Sequence, residues 1–221
     1  MEDRADDRDL PVTGDAACRF PGPRVTRESV LEEMPPRARR EFPRLEVATG
    51  RDLLVIGRQL GRPPRGEIFV ACRCEFGRSA VLLTLWDQEG GRGPVPPLLW
   101  LSCPHLVREV SGMESRGTIR RYADALKRKD ADEREKRLFV KGEEQFGRVQ
   151  ALLSVGRPGA PADELDRRGV AGGRPGAVKC LHAHLAYRLA SGRGVVGGWC
   201  LQELDNGRGR ICEKIPEACL T

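Results

Sequence analysis

The chemistry in this sequence is concentrated in sulfur and imidazole. Eight Cys stand at positions 18, 72, 74, 103, 180, 200, 212 and 219, and each of the three His, His105, His182 and His184, falls within four residues of one of them. Three settings stand out: Cys74 at the end of an apolar run, Ser102-Cys103-Pro104-His105, and Lys179-Cys180-Leu181-His182-Ala183-His184. Thiolate and neutral imidazole are the usual zinc ligands, and a structural zinc site takes four of them in a tetrahedron. Cys74, Cys103 and Cys180, joined by His182 or His184, are therefore the candidate metal ligands. The sequence has no C-x2-C pair, so it is not a standard zinc ribbon. An iron–sulfur cluster would need a further thiol from Cys72, Cys200, Cys212 or Cys219, and the neighbouring His make zinc the simpler assignment.

These ligands are far apart in the chain, so folded elements must bring them together. Glu67 to Cys74 and Ser79 to Trp86 read as two strands around a Gly-containing turn, and Leu98 to Leu101 as a third after a Gly/Pro-rich turn. In an antiparallel meander the first and third strands run the same way, which delivers Cys74 and Cys103 to one edge of the sheet. Cys72 reads as core. Pro104 suits the first position of a helix whose apolar face is Leu106, Val107, Val110 and Met113, ending at Gly117. Cys103 then sits at a helix N-terminus, where the dipole favours thiolate. On a regular helix Cys180 shares a face with His184, four residues on. If Cys180 instead precedes the first turn, where the backbone is extended, His182 can turn back to join it. Both alternatives stand at this level. A catalytic arrangement of the same parts would use Cys103 as nucleophile, His182 or His184 as base and Glu114 as orienting carboxylate, but no nucleophile elbow or phosphate loop accompanies it.

The rest of the chain frames these segments. Residues 1–48 are rich in Arg, Asp, Glu and Pro and read as a disordered arm with one helical turn around Ser29 to Glu33. Thr49 and Asp52 mark a helix N-terminus, with Leu53, Leu54, Ile56 and Leu60 as its stripe and Gly61 as its stop. Thr118 to about Leu153 reads as a long charged helical region, breakable at Gly142 and Gly147. Residues 154–177 read as a mobile Gly/Pro loop, Val178 to Ala190 as helix, and Gly194 to Thr221 as an irregular tail. The domain boundaries that follow are an arm at 1–48, an α+β domain at 49–200 and a Cys-containing tail at 201–221: a small antiparallel meander packed by several helices.

Composition limits the function. Of 221 residues 39% are apolar, 5% aromatic and 32% charged, with a net charge of +6. No run approaches the roughly 18 apolar residues of a membrane span, and the acidic N-terminus is unlike an export signal. A cytoplasmic protein with reduced thiols is expected. Residues 1–50 carry nine Arg against eleven Asp and Glu, so the positive charge lies in the domain, where it can attract an anionic partner. Few aromatics are available to stack on bases, which argues against specific nucleic-acid binding.

Four separated motifs, Gln59 to Gly66, Arg73-Cys74 with Gly77, Leu101-Ser102-Cys103-Pro104 with Glu114 downstream, and Val178-Lys179-Cys180-Leu181-His182, resemble the DUF501 family of uncharacterised bacterial proteins. The resemblance covers about residues 50–200. It implies no established activity, and its Cys-Leu-His hallmark favours Cys74, Cys103, Cys180 and His182. Where members often have a second Cys and a further His, this chain has Phe76 and Tyr187. The expectation is a metal-stabilised binding protein with a basic surface; the alternative is a metal- or thiol-dependent hydrolase acting on an anionic, phosphate-containing substrate.

Overall fold

Two seven-residue strands, β2 (Glu67–Arg73) and β3 (Ser79–Leu85), pair antiparallel around the turn at residues 74–78. β1 (Glu46–Val47) adds to the free side of β2 and β4 (Leu98–Leu101) to that of β3, giving the order β1-β2-β3-β4. These features come from a computed structural model that describes residue 32 and residues 34–64, 66–85, 98–128, 132–155, 167–205 and 217–219. Both faces of the sheet are buried, which is why the strands read as continuous apolar runs rather than as alternating ones. Ile68, Val70 and Leu82 pack with Ala48 and Ile56 beneath helix α2 (Gly50–Leu60), while Phe69, Ala71, Val81, Leu83, Leu99 and Leu101 join the larger core. Register shifts between Val70 and Cys72 and between Cys72 and Arg73 put Ala71 and Cys72 in the same core cluster, so Cys72 is core, as expected.

α2 begins as its sequence dictates. Thr49 and Asp52 form a reciprocal capping box, and Gly61 closes the helix in the left-handed conformation at φ 65°. Asp52 also receives Arg73 at 2.7 Å, and Arg73 reaches Glu46 at 2.6 Å, so one guanidinium ties β2 to β1 and α2. That guanidinium holds the Asp52 carboxyl at about 2, below the usual range.

The remaining helices cover the other face: α1 (Pro36–Glu41), α3 (Pro104–Ser115), α4 (Thr118–Lys127), α5 (Glu133–Ser154), α6 (Leu181–Ser191) and α7 (Val195–Leu204), with a 3-10 turn at Glu217–Cys219. α6 is central, lying against β2, β3, β4, α3 and α7. The larger core draws on Phe139, Phe146 and Val149 of α5, Leu106, Val110 and Met113 of α3, and Leu181, Leu185 and Tyr187 of α6. No helix among the described residues is long and apolar enough to cross a membrane.

Four expectations need correction. The arm does not extend to residue 48: Met34, Ala38 and Phe42 are buried in the core, and the buried Glu41 accepts a 2.6 Å hydrogen bond from the Tyr187 hydroxyl. Most of the helical turn expected at 29–33 lies outside the described residues. The single long helix is two, because the chain leaves α4 with Arg128 extended and restarts with Asp132 capping α5 through the Arg134 N–H. Gly142 and Gly147 do not break α5 but are buried within it, and a Cβ on Gly142 would sit 3.7 Å from the Tyr187 ring. The tail is helical over Val195–Leu204, with Cys200 fully buried. Within the expected loop, residues 156–166 lie outside the description, whereas Val170 is buried and its N–H donates to Glu143 Oε2 at 3.0 Å.

Candidate metal centre

α6 starts at Leu181, and Cys180 before it is extended, at φ −142° and ψ 116°. Cys180 makes no side-chain cap to this helix. The capping group comes instead from α3: the Leu181 N–H donates to Glu114 Oε1 at 2.6 Å. A carboxylate there satisfies a free helix donor and lies at the positive end of the helix dipole. Val107, Ser111 and Glu114, spaced by four and three residues, share the face of α3 that meets this N-terminus.

His182 fits between these groups. Its Nε2 lies 3.2 Å from the Val107 carbonyl oxygen and 3.2 Å from Ser111 Oγ, and the Ser111 hydroxyl itself donates to the same carbonyl at 2.8 Å. Its Nδ1 lies 3.2 Å from Glu114 Oε1 and 4.0 Å from Cys180 Sγ. Ligand atoms of Glu114, Cys180 and His182 all fall within 4.8 Å of one another, the one group of three or more such ligands among the described residues. The Cys180 thiol, the Val107 carbonyl and the Glu114 carboxylate favour the charged imidazole and hold His182 at about 9, against the opposing effect of burial. The His182 and Glu114 side chains are each 25% exposed, so the cluster opens to solvent at the α3–α6 junction.

The geometry separates two chemistries. A thiol–imidazole–carboxylate relay places the nucleophile and the carboxylate on opposite ring nitrogens. Here both approach Nδ1. Once the ring gives up its Nδ1 proton, as metal binding requires, and keeps Nε2–H on the Val107 carbonyl, Nδ1 presents its lone pair to the point where sulfur and carboxylate converge, as in a metal-ligating His oriented by a backbone carbonyl. Cys, His and carboxylate together suit zinc.

The other sequence candidates lie elsewhere. His184 turns into the core: it is 3% exposed, its Nδ1 is 3.4 Å from Glu143 Oε1 and its ring packs 5.9 Å from Phe139. Burial lowers His184 to about 4 and raises Glu143 to about 7, the Val170 N–H partly offsetting the latter. Cys103 does precede α3, with Pro104 at the first helical position. It is nevertheless only 4% exposed, and burial pushes its thiol up. Cys74 opens the turn after β2, its N–H donating to Arg78 O at 2.8 Å. Neither Cys74 nor Cys103 belongs to the Glu114–Cys180–His182 group, so the single centre expected from Cys74, Cys103, Cys180 and a His is not assembled. The arrangement of nucleophilic Cys103, His base and orienting Glu114 is likewise absent, because Glu114 and His182 engage Cys180. Spacing alone did not mark Glu114 as a ligand; its signal was the shared face with Val107 and Ser111.

Residues 70–202 match the model of a family described as "Protein of unknown function (DUF501)". No curated protein and no solved structure matches the chain.

Proposed function

This chain belongs to the DUF501 family, and from that premise we propose that it is a zinc-binding cytoplasmic protein whose ion is held by Cys180, His182 and Glu114. The observation that carries this reading is the convergence of three ligand atoms within 4.8 Å on the Nδ1 side of an imidazole whose other nitrogen rests on the Val107 carbonyl. An ion there would join α3 to the first turn of α6, the helix that touches three strands of the sheet, and so stabilise the domain as a platform. Its net charge of +6 suits an anionic partner. A second reading, a metal-dependent hydrolase acting on an anionic substrate, draws on one specific observation: three protein ligands leave a fourth zinc position for water or substrate, the pattern of catalytic rather than structural sites.

Metal analysis of the purified full-length protein tests both readings. One zinc per chain, lost in Cys180→Ser and in His182→Ala, is expected. Chelation that lowers the melting temperature supports the platform; chelation that leaves it unchanged while abolishing phosphate-ester hydrolysis supports the enzyme. A fully folded wild type that takes up no zinc ends both.

A further inference from the structure

Helix α5 turns a row of cations outward. Arg134, Arg137 and Lys141, three and four residues apart, line the face opposite the buried Phe139, Glu143 and Phe146, and all three are exposed. Among the described residues none of them has a carboxylate partner: Glu133 is taken by Lys136 at 2.7 Å and Glu144 by Arg148 at 3.9 Å. The segment at 167–179 borders this row. Glu143 holds it through the Val170 N–H, and a Cβ on Gly176 would sit 4.0 Å from Val140 Cγ2. The segment also ties itself together, with the Gly169 N–H on the Gly173 carbonyl at 2.7 Å and the Lys179 side chain lying across Gly173. Arg167, Arg174 and Lys179 are exposed and likewise have no carboxylate partner among the described residues. They carry the positive surface from α5 to the residue before Cys180.

We propose that this surface docks on duplex DNA through the phosphate backbone, without regard to sequence. A duplex carries one negative charge per about 1.7 Å of its axis, and Arg, the commoner cation here, takes two phosphate oxygens on its planar fork. Leu138 and Val140, 48% and 40% exposed, stand on the two borders of the α5 face rather than at its centre, whereas a helix that lies on a bilayer points its apolar side chains at the lipid. The aromatic rings of α5, Phe139 and Phe146, are buried, so nothing on this helix stacks on the bases of a single strand. A helix with cations along its outer face suits the B-form major groove, about 12 Å wide, and not the narrow one of duplex RNA. The proposal names the anionic partner of the platform reading and rests on that reading for its partner, not for its ion.

Fluorescence anisotropy of a labelled DNA duplex of about 20 base pairs, titrated with the full-length protein at about 0.1 M salt, reads the affinity. The triple variant Arg134→Gln, Arg137→Gln, Lys141→Gln is expected to bind at least about tenfold more weakly, equally so on two unrelated sequences, and to lower the salt slope by about 3. Arg51→Gln, Arg58→Gln, Arg62→Gln removes the same charge from the other side of the sheet and is expected to change the affinity by less than about threefold. Far-ultraviolet circular dichroism should be unchanged in both. Equal losses in the two variants, tighter binding to duplex RNA than to DNA, or capture by phosphatidylserine vesicles that needs the three cations while DNA binding does not, overturns the proposal. DNA binding that depends on the three cations in a protein that takes up no zinc upholds this surface and sinks only the ion. Zinc uptake with no such DNA binding sinks this surface alone.

Discussion

Glu114 carries two loads that substitution can separate. Its Oε1 accepts the Leu181 N–H and faces His182 Nδ1, and the same carboxylate is the proposed third ligand. Glu114→Gln keeps an oxygen acceptor for the helix but gives up the anionic ligand. It is expected to leave metal-free stability within about 0.5 kcal/mol of wild type and to weaken zinc binding about 10- to 100-fold. Glu114→Ala removes the cap as well and is expected to cost about 1 kcal/mol in urea denaturation of the metal-free protein. Competition with a chromophoric chelator reads the affinities, and equal zinc affinity in wild type and Glu114→Gln would remove this carboxylate from the ligand set. At this scale the sequence was half legible. The choice between His182 and His184 turned on whether the backbone at Cys180 is extended, and it is. That His184 would be absorbed by Glu143 and Phe139 depends on α5, whose path past α6 no local spacing encodes.

Between elements, a glycine of α7 lies close against α6. A Cβ added at Gly197 would run into the His184 carbonyl oxygen and Arg188 Cβ, whereas one added at the adjacent Gly198 would meet nothing within 4 Å. Gly197→Ala is expected to destabilise by about 1–3 kcal/mol through forced separation of the helices. Gly198→Ala is expected to be neutral or to stabilise by up to about 1 kcal/mol through helix propensity. Thermal unfolding of the pair checks this, and equal effects would mean that the contact is not what holds Gly197. The helix N-terminus at Thr49, the Pro104 start and the stop at Gly61 were readable because each is a local conformational requirement. α7 was not, since a segment as short and glycine-rich as Val195–Leu204 owes its helix to packing, which only the folded chain supplies.

Across the whole molecule, the meander and the α+β class were legible because continuous apolar runs separated by Gly and Pro leave few alternatives. The N-terminal boundary was not. Arg and Pro dominate residues 35–44, yet Met34, Ala38 and Phe42 recur every fourth residue and all three are buried. That spacing was the available signal, masked by the charge around it.

The nearest-neighbour strand order has a kinetic consequence. β2 and β3 need only a five-residue turn to meet, while Glu114 must find Leu181 across 67 positions of chain. Loop closures of that span cost more entropy and are favoured late, after the hairpin has formed. A ligand that recognises a late contact acts on the exit from the native basin. In stopped-flow experiments zinc is therefore expected to slow unfolding by nearly the whole of its binding gain and to leave the refolding rate where it was; faster refolding with zinc would place the α3–α6 junction in the folding nucleus.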